Sequence, residues 1–260
     1  YNSLPNKLRR NKLNFFPIST TIYVNTICNY RCEFCFLIND DHKGSKTFNL
    51  DIEGFNKLIA HDFMKYSGRI TLGGGEPLLN KNLYEFIKIL RKQKKVISIY
   101  SNGSLLSRQY DSFMSNQPNY MNISHYDDKF EDLSASFKLF NNDKHRKCIT
   151  RLSKIVQKSK IRETSKIVET ALFNNFDRII FQNYFSYKNL DTEEIIYEDD
   201  KEFNEEKVKI ESKFGSKIEI IWPNLLKRKK SFGCNNISIN STIDSQGNIS
   251  PCCFITPPEK

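Results

Sequence analysis

The sequence contains no apolar run close to the roughly 18 residues that a membrane-spanning helix needs. Its N-terminus, residues 1–5 (YNSLP), has no basic stretch followed by an apolar one, so we expect no secretory signal peptide. An initiator methionine is also lacking, and we expect that the native start is missing or processed. We find no internal repeat and no low-complexity tract. These absences predict a protein with no membrane partner, and the grouped cysteines described below predict a reducing, cytoplasmic setting.

The length and charge of the chain restrict its possible partners. A chain of 260 residues can form one large domain, or one domain with a small appendage, around a substantial core. The formal net charge of +10 could attract nucleic acid, an acidic peptide or a membrane surface. The lysines are spread along the chain, however, and the dense basic run at residues 227–230 is typical of solvated surface or a linker. We therefore do not expect a nucleic-acid partner.

The chain has seven cysteines, and six of them form two local groups. Grouped cysteines in an intracellular protein bind metal more often than they form disulfides. We interpret the isolated Cys148 as a core residue. The two groups are Cys28, Cys32 and Cys35, and Cys234, Cys252 and Cys253.

The pattern of apolar residues alternates between strand and helix periods. This alternation predicts parallel βαβ units, in which chemistry lies at the carboxyl ends of the strands. A C-terminal hairpin is predicted from two short strands, 238–243 and 248–250, around a turn. The predicted strands are 20–24, 69–72, 96–100, 120–124, 167–172, 178–182 and 217–222. The predicted helices are 50–63, 83–90, 149–156 and 191–214.

The first cysteine group directly follows the first predicted strand. Three thiolates need a fourth ligand to complete a tetrahedral zinc site, and His61 or His125 could supply it. Iron–sulfur clusters also bind cysteine thiolates, normally four. With only Cys28, Cys32 and Cys35 as ligands, one iron would stay open, as a cluster requires if it is to bind a substrate directly.

The spacing of three and then two residues between these cysteines, followed by the aromatic Phe36, resembles the signature of the radical S-adenosylmethionine (SAM) superfamily. The resemblance implies that the three cysteines hold a 4Fe–4S cluster whose open iron takes SAM, with Phe36 beside the cofactor. It also implies reductive cleavage of SAM to methionine and a 5′-deoxyadenosyl radical. The expected fold is α/β, a partial (β/α)6 TIM-like barrel over residues 19–225, preceded by an N-terminal segment of residues 1–18.

A glycine run follows the second predicted strand: Gly73, Gly74, Gly75, then Glu76 and Pro77. By itself the run could form a tight turn. A P-loop is not expected, because no Lys-Ser or Lys-Thr follows it. The run resembles the family's GGEP element, which contacts the SAM amino group. The resemblance implies that all five residues bind the cofactor, with the glycines admitting close backbone approach and Glu76 accepting from the ammonium.

Two further elements resemble cofactor-binding positions of the family. Ser101 and Asn102 follow the third predicted strand and lie in a turn similar to the family's TNG element. Ser124 ends the fourth predicted strand, at a position that the family often uses near the SAM ribose. These residues complete the cofactor site that the resemblance implies.

The second cysteine group lies in a segment, residues 226–260, that resembles the opening half of a SPASM or Twitch extension. Such extensions bind auxiliary iron–sulfur clusters, which makes Cys234, Cys252 and Cys253 candidate ligands. A pair of buried cysteines is the alternative. A full SPASM domain continues with further cysteines that this sequence does not contain. Either the extension is truncated, or further ligands lie beyond the end of this sequence, or a substrate or Cys253 completes the cluster. Cys253 could therefore be a ligand or a free thiol that donates a hydrogen atom to a substrate radical.

Three functions are compatible with these features. Families with such extensions mostly modify peptides, so the first is maturation of a ribosomally made peptide by crosslinking or epimerisation. The second is radical chemistry on a small molecule such as a sugar, nucleoside or cofactor precursor. The third is a noncatalytic iron–sulfur sensor that binds nucleic acid, against which the intact glycine run argues. For either enzyme we expect an external reductant such as flavodoxin or ferredoxin.

Overall fold

The computed structural model describes residues 16–32, 35, 37, 47–127, 129–184, 192–228, 239–244 and 246–251. Within these residues, no helix is long and apolar enough to cross a membrane. The strands are β1 Ser19–Asn25, β2 Arg69–Gly74, β3 Val96–Ser101, β4 Tyr120–Ser124, β5 Ile149–Val156, β6 Arg178–Asn183, β7 Glu219–Ile221, β8 Asn240–Ile243 and β9 Ile249–Ser250. The helices are α1 Ile52–Ala60, α2 Asp62–Tyr66, α3 Leu83–Lys92, α4 Tyr110–Ser115, α5 Phe130–Asn141, α6 Thr164–Phe173 and α7 Lys201–Phe214.

The described residues divide into two compact units, and the first contains β1, β2, β3, β8 and β9. Its strands lie in the order β3-β2-β1-β8-β9. All neighbours are parallel except β8 and β9, which form an antiparallel hairpin. The core is aromatic and aliphatic: Phe55 of α1 stacks on Phe86 of α3 with ring centroids 4.2 Å apart. This unit carries the cysteine loop and the glycine loop.

The C-terminal hairpin is hydrogen-bonded to the first strand rather than forming a separate sheet. Ile22 of β1 is the register partner of Ile243 of β8. Two residues earlier in β1, the buried hydroxyl of Thr20 lies 2.6 Å from Ser67 Oγ and 2.9 Å from Ser241 Oγ. Because buried hydroxyls need partners, these contacts favour this register over its neighbours.

The second unit contains β4 to β7, all parallel, in the order β7-β6-β5-β4. One face of its sheet carries fully buried side chains, Leu152 and Ile179 for example. Side chains alternate between the faces of a strand, so Arg151 and Arg178, which are register partners, lie on the opposite face. The Arg151 guanidinium stacks 3.7 Å from the Tyr120 ring centroid. At these positions the second face therefore carries polar, charged side chains.

The predicted α/β class and most predicted elements are confirmed. Strand β4 has the predicted bounds, and the C-terminal hairpin is present. The predicted helix 50–63 breaks at His61, whose Nδ1 accepts from the Phe63 amide at 3.3 Å and so caps α2. In the predicted helix 191–214, the α-helix begins only at Lys201.

Two element types were wrong, and both errors have a physical reason. The predicted helix 149–156 is strand β5. Its apolar residues fit a helical spacing, but the segment is rich in β-branched residues and pairs with β4 on one side and β6 on the other. The predicted strand 167–172 is part of α6, where the buried residues recur at helical spacing. Those residues are Thr164, Ile167, Val168 and Ala171.

Candidate functional site

The first cysteine group lies in a loop that begins where β1 ends. Cys28, Cys32 and Cys35 are half-buried thiols that form no disulfide. The Cys35 amide donates to the Cys32 carbonyl at 3.1 Å, which turns the chain between these residues. The Tyr30 amide donates to Cys28 Sγ at 3.4 Å. A backbone amide directed at a sulfur is an interaction that stabilises cluster thiolates.

The environment of Cys28 shows which charges lie near it. Burial raises the pKa of the Cys28 thiol, and the negative charges of Glu76 and Cys32 raise it further. The Tyr30 amide and the Arg31 guanidinium oppose this rise in pKa. Cys28, Cys32 and Glu76 therefore share one local electrostatic environment, and iron would have to displace the Cys28 proton.

The cysteines fit an iron–sulfur cluster by their chemistry, although they do not form a ready-made ligand set. In the part of the chain that the structure describes, no three His, Cys, Asp or Glu side chains are placed to hold a metal ion. A zinc site completed by His61 gains no support, because that imidazole caps α2. Three half-buried thiols in one loop suit a cluster with three protein ligands. Phe36 lies outside the described residues.

The glycine loop is shaped by the backbone that leaves β1. Gly74 has φ +120°, a conformation that favours glycine. A Cβ on Gly74 would lie well under 3.0 Å from the Asn25 carbonyl oxygen. One on Gly75 would be as close to the carbonyl group of Ile27 and 2.9 Å from its amide nitrogen. Gly73 differs, since its Cβ would meet only a methyl group 3.9 Å away. We expected these glycines to admit a ligand, but Gly74 and Gly75 first admit the chain's own backbone.

Three hydrogen bonds join the end of β1 to this glycine loop. The Gly75 amide donates to the Asn25 carbonyl at 3.0 Å, and the Glu76 amide donates to the Ile27 carbonyl at 2.7 Å. The Asn25 side chain is fully buried and donates to the Glu76 carbonyl at 2.8 Å. Residue 27 directly precedes Cys28, so the glycine loop holds the entry to the cysteine loop. Sequence analysis overlooked Asn25, although a polar residue ending a buried strand is a usable signal.

Asn80 is a second overlooked residue that braces this region. Its Nδ2 donates to the Val24 carbonyl at 2.7 Å and to the Leu50 carbonyl at 3.1 Å. Its Oδ1 accepts from the Asn82 amide at 2.8 Å. The side chain is 3% exposed, so these bonds are shielded from water. Asn80 thereby ties β1 to the segments around it.

Glu76 and Ser101 meet within this first unit. Glu76 is 1% exposed, and its Oε1 accepts from Ser101 Oγ at 2.7 Å and from the Leu78 amide at 3.1 Å. The second bond makes Glu76 the N-cap of the 3₁₀ turn Pro77–Leu79, which Pro77 opens. The structure therefore brings Glu76, Pro77, Ser101 and Cys28 together in one region.

The other predicted cofactor residues belong to the second unit. Asn102 Oδ1 accepts from the Ser104 amide at 2.9 Å and from Ser104 Oγ at 2.6 Å, so this side-chain oxygen stabilises a turn. Gly103 has φ +76°, and a Cβ there would collide with the Phe137 ring. Ser124 is half-buried at the carboxyl end of β4.

A titratable cluster follows β4, in which sequence analysis named only His125, as a possible fourth zinc ligand. Lys154 Nζ lies 2.6 and 2.7 Å from the two carboxylate oxygens of Asp127, whose pKa is lowered. Burial and the Lys154 charge lower the pKa of His125 to about 4. His125 is therefore neutral at pH 7, and its 3.2 Å approach to Asp127 is no ion pair there. The ring stacks on Phe130 with centroids 4.5 Å apart.

The second cysteine group, Cys234, Cys252 and Cys253, lies outside the described residues. The hairpin between its members is described: Asp244 Oδ1 accepts from the amides of Gln246 and Asn248 at 2.8 and 2.9 Å. Cys148 is buried, as predicted, but it precedes a strand and not a helix. Burial raises the pKa of its thiol to about 12.

A cysteine loop after β1, bonded to a Gly-Gly-Gly-Glu-Pro loop after β2, is the arrangement expected of an enzyme that binds SAM at an iron–sulfur cluster. The family model described as the Radical SAM superfamily matches residues 22–169, more than half of the chain. The chain therefore belongs to the radical SAM superfamily.

Curated relatives with similar sequences have names that refer to nucleotides. A GTP 3′,8-cyclase of Synechocystis sp. is 28% identical over 47% of this chain and 35% of its own length. An S-adenosylmethionine-dependent nucleotide dehydratase of Lacinutrix mariniflava is 35% identical over 36% of this chain and 20% of its own. These matches thus span about a third or less of each relative.

Solved structures resemble the fold over almost the whole chain. Streptococcus suis SuiB bound to the precursor peptide SuiA gives a TM-score of 0.72 at 18% identity, covering 97% of this chain and 64% of SuiB. Native anSMEcpe with bound AdoMet gives 0.67 at 17% identity, covering 93% of this chain and 76% of that one. The expected partial barrel fold is thereby confirmed. Family membership and the AdoMet-bound neighbours imply a 4Fe–4S cluster and SAM as cofactors.

Proposed function

We propose that this radical SAM enzyme modifies a peptide, taking a hydrogen atom from it to crosslink or epimerise a residue. The observation that carries the proposal is the C-terminal hairpin β8–β9, with its Asp244 turn and Gly247 at φ +85°. This hairpin lies within residues 226–260, whose sequence resembles a SPASM or Twitch extension. Such extensions are common among peptide-modifying families. The likeness in fold to SuiB and anSMEcpe agrees with it.

The residues described above would have distinct roles in this reaction. Cys28, Cys32 and Cys35 would hold the cluster, and Glu76 would receive the SAM ammonium beside it. When bound, the cluster supplies the electron that cleaves SAM to methionine and a 5′-deoxyadenosyl radical, which takes hydrogen from the substrate. We assign residues 19–225 to the catalytic core. Gly73, Gly74, Gly75, Pro77, Ser101, Asn102, Ser124 and Phe36 would complete the cofactor site.

We further propose that residues 226–260 bind an auxiliary iron–sulfur cluster through Cys234 and Cys252, with Cys253 as a ligand or as a hydrogen donor. Replacing Cys234 and Cys252 with Ala should lower iron content while leaving some SAM cleavage, because the first cluster is intact. A Cys253→Ala variant should lose iron if the residue is a ligand. If it is a hydrogen donor, iron should stay while the product changes. Full iron and full turnover in the double variant would contradict the auxiliary cluster.

A nucleotide substrate is the second candidate, and one observation favours it. The curated relatives carry nucleotide names. The register partners Arg151 and Arg178 do not add to it, because Arg178 opens β6 and pairs with Glu219 at the start of β7. This pair therefore lies toward the amino ends of the strands, whereas the chemistry of parallel sheets lies at their carboxyl ends.

One experiment separates the two candidates. Anaerobically reconstituted protein, SAM and a chemical reductant are incubated with a short peptide encoded next to the gene, or with GTP. A peptide substrate should stimulate 5′-deoxyadenosine formation and lose two hydrogens on crosslinking, or gain deuterium from D₂O on epimerisation. Stimulation by GTP alone would replace the peptide proposal with the nucleotide one. The variant with Cys28, Cys32 and Cys35 replaced by Ala is the control for cluster-independent changes.

A further inference from the structure

The Glu76 carboxylate is held in place before any ligand arrives. Its Oε1 accepts two hydrogen bonds, from Ser101 Oγ at 2.7 Å and from the Leu78 amide at 3.1 Å. The Leu78 bond belongs to the N-cap of a local turn, so it follows from the sequence around Glu76 itself. The Ser101 bond crosses 25 residues, from the end of β3 to the loop after β2. Ser101 therefore adds a constraint that the local turn alone does not supply.

We propose that Ser101 is a positioning residue, which orients the Glu76 carboxylate to receive the ammonium group of SAM. The inference rests on the proposed role of Glu76 in SAM binding. The Ser101 hydroxyl donates to Oε1 of the Glu76 carboxylate, so its influence on a ligand ammonium passes through that carboxylate. Ser101 thus acts through Glu76 and not by contact with the ligand, which differs from the role expected from its sequence position.

The physical basis is preorganisation. A carboxylate turns easily about its last torsion, which has no sharp rotamer preference. The Ser101 hydroxyl fixes that torsion, and both side chains are almost fully buried, at 3% and 1% exposure. A hydrogen bond to a buried carboxylate is stronger than one between neutral groups. Without the Ser101 hydroxyl, the carboxylate must be oriented when the ammonium binds. The affinity should therefore decrease for ligands that carry an ammonium group.

The test compares two ligands on anaerobically reconstituted protein by equilibrium binding. SAM carries the ammonium, whereas 5′-methylthioadenosine has the same adenosine and no ammonium. Ser101→Ala should weaken SAM binding about tenfold, the effect of one charge-assisted hydrogen bond, and leave 5′-methylthioadenosine binding unchanged. Ser101→Thr keeps a hydroxyl and should bind SAM close to the wild-type level.

Ser241→Ala is the matched control. Ser241 is also a buried strand serine of the first unit at 3% exposure, and its hydroxyl bonds Thr20 instead of Glu76. Both alanine variants should lower the melting temperature, but only Ser101→Ala should lose SAM affinity selectively. Equal weakening of both ligands, unchanged SAM affinity in Ser101→Ala, or Ser101→Thr binding SAM as weakly as Ser101→Ala would each overturn the inference. A wild-type protein that does not bind SAM would instead refute the proposed function.

Discussion

Gly75→Ala should disable the protein by pushing the cysteine loop away from the glycine loop. The added Cβ would lie well under 3.0 Å from the carbonyl O and C atoms of Ile27 and 2.9 Å from its N atom. Backbone atoms cannot move aside as a flexible side chain can, so the loops must separate. Separation breaks the bonds of the Gly75 and Glu76 amides and the bond of the Asn25 side chain. Each is worth about 1 kcal/mol, which gives a loss of about 3 kcal/mol in unfolding free energy.

For a chain of this size, that loss corresponds to a fall in melting temperature of about 6–12 °C. Calorimetry of the cluster-free protein under reducing conditions measures it. Iron uptake on reconstitution should also fall, because Cys28 follows Ile27 directly. Gly73→Ala is the control for stability and iron content, since its Cβ would find its nearest neighbour 3.9 Å away. A Gly75→Ala protein with the melting temperature and iron content of Gly73→Ala would refute the reasoning.

Other predictions concern the cluster cysteines, the Asn80 side chain and the pH dependence of stability. Replacing Cys28, Cys32 and Cys35 with Ala should abolish 5′-deoxyadenosine formation and remove about four irons, measured by chromatography and iron assay; undiminished cleavage would contradict the cluster assignment. Asn80→Ala should lower the unfolding free energy by about 2–3 kcal/mol in urea denaturation, because the three hydrogen bonds of this side chain are lost at about 1 kcal/mol each. An unchanged midpoint would contradict this. The pKa of His125 is depressed to about 4 in the folded protein, so the unfolded protein binds the proton at higher pH than the folded one. The free energy of unfolding should therefore fall by up to about 3 kcal/mol as the pH drops from 6.5 to 4. His125→Phe keeps an aromatic ring in the stack and should flatten that slope; an unaltered slope would assign it to other groups.

The elements that sequence predicted well are those in which local pattern and tertiary context agree. Strand β2 runs directly into glycines, and α3 buries Leu83, Phe86, Ile87 and Leu90, which recur at helical spacing. The errors arose in segments whose residues suit both helix and strand, because there the packing determined the secondary structure. Strand β5 contains Ile149, Leu152 and Ile155 at a spacing that suits a helix, yet hydrogen bonding to β4 and β6 places it in the sheet.

The residues of the candidate site also differ in whether local sequence reveals them. The cysteines and the Gly-Gly-Gly-Glu-Pro run are contiguous in sequence, so they could be found by spacing alone. Asn25, Asn80 and Ser101 act through partners 25 to 56 residues away, and no local pattern shows those partners. The need for Gly75 was anticipated, but its cause was not, because the approach of Ile27 depends on how two strands pair.

The pairing of β8 with β1 has a consequence for biosynthesis. Ser19 and Asn240 are register partners, so one edge of the first strand has no neighbour until more than 200 further residues have been made. An open strand edge can pair with other chains, and contacts this distant in sequence slow folding. The nascent chain therefore completes this sheet only late in synthesis. Since β1 leads directly into the cysteine loop, iron delivered earlier would meet a ligand loop whose supporting strand is still exposed on one side.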